Sequence, residues 1–217
     1  MNLAVMIKFE NHLEQQPHWP QSGRHILAHY DEDNIVVYQS FRPEIAEYAL
    51  NNQRFGGSAY SFTRMSWIKP NFLWMMYRNG WGTKEGQEYT LAITIPRLLF
   101  DDILGKAAWS SFKSERYDNY SDWETHKNKG NVRLQWDPDH DPLGNKLSRR
   151  AIQLGLKSDT LKIFNQQIIS IEDLSPHVAK QKLVALSGNW ERLVVPSERP
   201  YIPSRNEAIS NVLIERH

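Results

Sequence analysis

The stretch Arg64–Gly82, RMSWIKPNFLWMMYRNGWG, constrains this chain more than any other. It carries five aromatics, Trp67, Phe72, Trp74, Tyr77 and Trp81, in nineteen residues, together with Arg64, Lys69 and Arg78. No acid occurs between Glu47 and Glu85, whereas Arg54, Arg64, Lys69, Arg78 and Lys84 all fall there. Such a block is either the heart of a core or the wall of a site for something flat and anionic. Pro70 suits a first helical position and Gly80 a position just past a helix end. The residues between are apolar nearly all round, which predicts a buried helix. The division follows: Phe72 to Tyr77 belong to the core, while Arg64, Ser66, Trp67 and Lys69 line a pocket. A ligand phosphate there is expected to meet the first free N–H groups of the helix as well as the cations.

The rest of the sequence sets the frame for that block. At 217 residues the chain reads as one domain, residues 1–217, long enough to bury a core without a staple. It has 26 cations and 25 anions, so any affinity for nucleic acid must come from a local patch rather than from global charge. It contains no cysteine, which excludes disulfides, thiolate metal sites and a cysteine nucleophile. No apolar run approaches membrane-spanning length and the first residues lack a secretory pattern. The expectation is a cytoplasmic protein with no membrane partner.

Strands are expected at IVVYQSF (35–41) and EYTLAITIP (88–96), both β-branched and aromatic. The segment 58–68 reads as a strand or extended run. In NVRLQW (131–136), Val132, Leu134 and Trp136 face one way and Arg133 and Gln135 the other. Strands are also expected over 147–156 and 167–174. Helices are expected from Pro43 to about Asn52, over 97–108, from Ser121, over 158–166 and from Ser175 to about Leu186. Arg24 to Tyr30 could form a helical turn or two. The loop DPDHDPLGN, with two prolines and a glycine, is expected to be irregular, as is most of the proline-rich tail. Strands and helices alternate without a regular beat. The fold class is therefore α+β, with mixed or split antiparallel sheets flanked by helices.

Three groups of residues carry candidate chemistry. The aromatic–basic block could stack bases and meet phosphates, and could equally be core with cationic ends. Asp137, Asp139, His140 and Asp141 could hold a hard divalent cation, form an Asx-turn loop, or supply acids that pair with the basic block or with Arg149 and Arg150. Tyr38, Gln39, Ser66 and Glu88 are polar residues inside or beside strongly apolar sequence. A carboxylate such as Glu88 at a strand entrance can orient a ribose hydroxyl, or can simply face water.

VVYQSFRPEIA (36–46), RMSWIKPNFLWMMYRNGWGTKEGQE (64–88), VRLQWDPDHDPLG (132–144) and RRAIQLGL (149–156) closely resemble the family called domain of unknown function 4291, over about residues 20 to 200. That resemblance implies one domain and no particular activity. A second resemblance is shorter, about sixty residues. The order strand with Tyr38 and Gln39, helix, extended segment with Ser66, helix, then strand opened by Gln87 and Glu88 is similar to the NAD-binding core of ADP-ribosyltransferases. It implies NAD as cofactor or substrate, with no metal. Glu88 and Ser66 would be catalytic, and Tyr38, Gln39, Arg64, Trp67 and Lys69 would bind NAD. Three functions stay open at this point. They are an ADP-ribosyltransferase-like enzyme or binder of an NAD-derived nucleotide, a module that binds or processes RNA or single-stranded DNA, and a metal-dependent phosphoryl hydrolase on Asp137, Asp139 and Asp141.

Overall fold

The structure, a computed structural model, describes residues 7–215. The first six residues of the strand-like run at the start of the chain lie outside them. Along the described chain come β1 (Phe9–Asn11), α1 (His12–Gln15), β2 (Gly23–Arg24), β3 (Ile26–Ala28), β4 (Asn34–Phe41) and α2 (Pro43–Asn52). Then follow β5 (Ser66–Ile68), α3 (Phe72–Asn79), β6 (Tyr89–Pro96), α4 (Arg97–Gly105), β7 (Ala107–Trp109), α5 (Tyr120–Lys129), β8 (Val132–His140) and β9 (Lys146–Leu156). The chain ends with α6 (Ser158–Gln166), β10 (Ser170–Asp173), α7 (Ser175–Leu186), β11 (Val194–Pro196), β12 (Arg199–Tyr201) and α8 (Asn206–Val212). The fold is α+β, as the sequence leads one to expect. No helix among the described residues is long and apolar enough to cross a membrane.

Two sheets matter for the site. In the first, β6 lies between β10 and β4, all antiparallel. The second is built on the long strand β9. One edge of β9 pairs with β8, which pairs in turn with β7; the other edge is shared by β2 and β5. The sheets are tied where β5 runs out. Tyr38 N–H donates to Lys69 C=O at 2.7 Å and Lys69 N–H returns a bond to Tyr38 C=O at 3.2 Å.

Strand periodicity explains why two cores form. On β4, Ile35 and Val37 point into one cluster, with Ile93 of β6 and Leu154 of β9. Val36 and Tyr38 point into the other, with Phe72, Met75 and Met76 of α3 and Val178 of α7. Successive side chains of a strand face opposite sides, so one central strand feeds both clusters. Helix α3 is apolar round most of its circumference because it is walled in by β4, β8 and α7. Of its side chains only Tyr77 and Arg78 are exposed, so the core expected over Phe72 to Tyr77 stops at Met76 and Tyr77 turns to the cleft.

Three expectations change. The segment 24–30 forms β2 and β3, not a helical turn, because Leu27 and Ala28 are needed as core strand residues beside β12. The tail contributes β11 and β12, with prolines at the strand margins or edges where no ladder N–H is required. Most consequentially, β8 does not stop at Trp136 but continues through Asp137, Pro138 and Asp139 to His140. Proline is accommodated by a register shift between Pro138 and His140, the bulge that lets a strand carry a residue without a ladder donor.

Candidate functional site between the two sheets

A cleft of about 890 Å³ opens where the sheets meet. Its floor is β5 and the residue after it, with Ser66, Trp67 and Lys69. One wall is the end of β4, with Gln39, Ser40 and Phe41; the opposite wall is β8 and β9, with Gln135, Asp137, His140 and Gln153. Helix α3 closes a side with Trp74, Tyr77 and Arg78. Arg64, Arg78 and Lys146 stand exposed along the cleft.

The wall of β8 and β9 follows from alternation. Leu134 and Ile152 go to the core, so Gln135, Asp137 and Gln153 take the other face. Gln135 lies directly opposite Gln153 across the ladder. Both amides turn to Asp137: Gln135 Nε2 donates to Oδ1 and Gln153 Nε2 to Oδ2, each at 2.8 Å. Burial raises the Asp137 carboxyl above its usual range, while the two amides and Lys69 pull it back. The result is a carboxylate held rigidly, with both oxygens oriented, in a pocket rich in cations.

Lys69 is 6% exposed. Its Nζ lies 5.3 Å from the centroid of the Trp74 ring and takes part in no ion pair or hydrogen bond among the described residues. Desolvation, reinforced by Arg78 and opposed by Asp137, lowers its pKa to about 7. A burial penalty on the charged amine and a neighbouring like charge act in the same direction.

Gln39 is oriented by two bonds from Nε2, to Ser66 Oγ at 2.8 Å and to Trp67 C=O at 3.0 Å. A flipped amide would set its oxygen against the Trp67 carbonyl, so Oε1 is the end left over. That Oε1 is buried and accepts no hydrogen bond among the described residues. His140 is in the same position, buried with neither ring nitrogen hydrogen-bonded among the described residues. Its ring stacks on Tyr77 at 3.5 Å and 8°. Burial lowers its pKa, favouring the neutral ring. Trp67 lies over β9 because Gly155 is opposite it; a Cβ on Gly155 would come within 3.0 Å of the Trp67 ring and 2.5 Å of Met65 Sδ.

Of the residues singled out from sequence, Gln39, Arg64, Ser66, Trp67 and Lys69 come together in this cleft. Tyr38 and Glu88 do not line it. Tyr38 is next to Gln39 on β4 and so faces the other side, fully buried and edge-on to Phe72 at 5.5 Å. Glu88 precedes β6 and turns back on its own loop, Oε1 accepting from Gly86 N–H at 2.7 Å; its neighbour Gln87 lines the cleft instead. Nor is the start of α3 open to a ligand. Asn71 Oδ1 caps Trp74 N–H at 2.6 Å, and buried Glu198 from the tail accepts from Phe72 N–H at 2.7 Å. Sequence reasoning missed Gln153 and Lys146 as site residues, and weighed Asp137 and His140 as metal ligands, turn formers or charge partners rather than as parts of a ligand cleft. Alternation along 131–136, continued for one more residue, already puts Asp137 beside Gln135.

The acidic run divides three ways. Asp137 faces the cleft. Asp139 is buried against Arg149, its Oδ2 accepting from Nε at 2.8 Å and Nη2 at 2.6 Å. Asp141 organises the loop between β8 and β9, accepting from Leu143 N–H and Asn145 N–H, each at 2.9 Å. Among the described residues no group of three or more His, Asp or Glu is placed to hold a metal ion. The pairing with Arg149 and the Asx-turn, both open from sequence, are each present, at different aspartates.

A search of curated proteins finds no match. A comparison with protein families matches residues 25–201 to the one described as Domain of unknown function (DUF4291). The match takes in both walls of the cleft, from Gln39 on β4 to Gln153 on β9, and the chain belongs to this family.

Proposed function

We propose that the cleft binds NAD or an NAD-derived nucleotide and that the protein is an ADP-ribosyltransferase-like enzyme. One observation carries this: a ligand-sized cleft at the junction of two sheets holds Arg64, Arg78 and Lys146, none of them ion-paired within the described chain, around a single oriented carboxylate. Clefts of this size take small molecules and cofactors. Like charges gathered without acids are stabilised by an anion, and a pyrophosphate supplies one. Arg64 and Arg78 hold the phosphates, Trp67 stacks on a ring of the ligand, and Gln39 Oε1 accepts a hydrogen bond from a ligand N–H or O–H. Ser66 keeps Gln39 in place. Asp137, rather than Glu88, holds a ribose hydroxyl and stabilises positive charge at the anomeric carbon as the glycosidic bond to nicotinamide breaks. An acceptor nucleophile then forms the new bond to that carbon and gives up its proton.

The polynucleotide alternative draws less support. A platform that tracks a strand needs successive rings facing solvent; of the block's five aromatics Phe72, Trp74 and Trp81 are buried, Trp67 is half-buried and Tyr77 is already stacked on His140. Calorimetric titration with NAD and transfer of label from labelled NAD to the protein, a partner or water test the proposal. Heat of binding with transfer supports it. No heat and no transfer, with a gel shift on single-stranded RNA that collapses with salt, would favour the alternative.

A further inference from the structure

Lys69 has a chemistry beyond charge. Its backbone is clamped to Tyr38 by two hydrogen bonds, so the side chain has a defined root at the cleft floor. Its stem is buried, its Nζ reaches the Trp74 face, and it lines the cleft without a hydrogen bond to any described residue. Arg78 and Asp137 line the same cleft, and their charges act on it in opposite directions. A lysine used only to bind phosphate keeps its charge and gains from exposure. A lysine desolvated beside a second cation is set up as a nucleophile. With its pKa lowered to about 7, its neutral fraction near pH 7.5 far exceeds the roughly 0.1% of an ordinary lysine.

We infer that Lys69 is a nucleophilic amine that forms a reversible imine with the carbonyl carbon of an anionic sugar phosphate in its ring-opened form. The Nζ lone pair attacks the aldehyde carbon and the C=O π pair moves to oxygen. Asp137 carries two protons in turn from nitrogen to that oxygen, which leaves as water. Amine and aldehyde give imine and water, with no oxidant or reductant. Arg64, Arg78 and Lys146 hold the phosphate and fix the aldehyde near Nζ. The terminal ribose of ADP-ribose has such a latent aldehyde. The identity of the sugar phosphate rests on the nucleotide reading, whereas the reactivity of the amine does not.

The test uses the whole chain at pH 7.5 with pyridoxal 5′-phosphate as an anionic aldehyde probe. Borohydride reduction then fixes any imine, and peptide mass spectrometry locates it. Lys69 is expected to take the label at least about tenfold faster than the exposed lysines Lys84 and Lys180, from its larger neutral fraction. Unphosphorylated pyridoxal is expected to be slower at Lys69; an equal rate would remove the requirement for an anion. Label on Lys146 or the surface lysines as readily as on Lys69 would overturn the inference, whatever ADP-ribose does. Preferential label on Lys69 that ADP-ribose blocks supports both proposals. The same label without protection keeps the amine and rejects the nucleotide.

Discussion

Lys69 places a functional group at a cost in stability, and the cost has a pH signature. Its pKa in the folded chain is about 7, below the roughly 10.4 of an unfolded lysine. Between those values the unfolded state binds more protons, so stability rises with pH across that window. Below pH 7 the penalty is fully present. Replacing Lys69 with Met, which keeps the stem and removes the amine, should stabilise the protein at pH 7 by about 2–4 kcal/mol in urea unfolding. The gain should shrink towards zero near pH 10. A gain independent of pH would mean that the amine is not desolvated as described.

Asp139 illustrates the opposite case, a residue that reads as functional and is structural. Its charge and that of Arg149 are both buried and satisfy each other. Arg149 also donates from Nη1 to Pro20 C=O at 2.6 Å. Removing one partner of such a pair leaves an uncompensated buried charge, worth roughly 3–5 kcal/mol. Asp139→Ala should therefore lower the unfolding free energy by about that amount, whereas Asp137→Asn should change it by less than about 1 kcal/mol and cut ADP-ribosyl transfer about a hundredfold. Chemical denaturation of the two variants side by side checks the contrast.

At the level of elements, the cleft depends on small accommodations between strands and helix. Gly155 allows Trp67 of β5 to lie across β9. Gly155→Val should displace Trp67 and weaken nucleotide binding by about tenfold, with circular dichroism of the fold retained; unaltered affinity would take Trp67 out of the site. Asn71 and Glu198 together close the N-terminus of α3. Loss of the Asn71 cap in Asn71→Ala should cost about 1 kcal/mol of stability.

Most elements were legible because their signals are local. β-Branched and aromatic content exposed β4 and β6, alternation exposed β8 and β9, and prolines and caps exposed α2, α3 and α7. What escaped depends on partners distant in sequence. The chain passes Pro138 as a strand because β9 holds the other side of the bulge. Glu198 fills the start of α3 from more than a hundred residues away. The resemblance assigns Tyr38 and Gln39 to one site, whereas β periodicity sends these neighbours to opposite faces. The cations of the opening stretch were a sound guide, since Arg64, Lys69 and Arg78 all reach the cleft. Gln153 and Lys146 were invisible as site residues because only the β8–β9 register and the turn at Asp141 bring them there.

Over the whole molecule, the two cores give a simple division of labour. One packs the sheets' shared interior and the other seats α3 and α7. The gap between the sheets is left lined with glutamines, one carboxylate and uncompensated cations, an arrangement suited to a polar anionic ligand. The central claim is that a nucleotide lies in that gap. A crystal structure of the protein soaked with ADP-ribose tests it most directly. The account predicts difference density between β4 and β8, with the pyrophosphate against Arg64 and Arg78 and a ribose at Asp137. Density elsewhere on the surface with the cleft clear, at concentrations that saturate binding in solution, would contradict it.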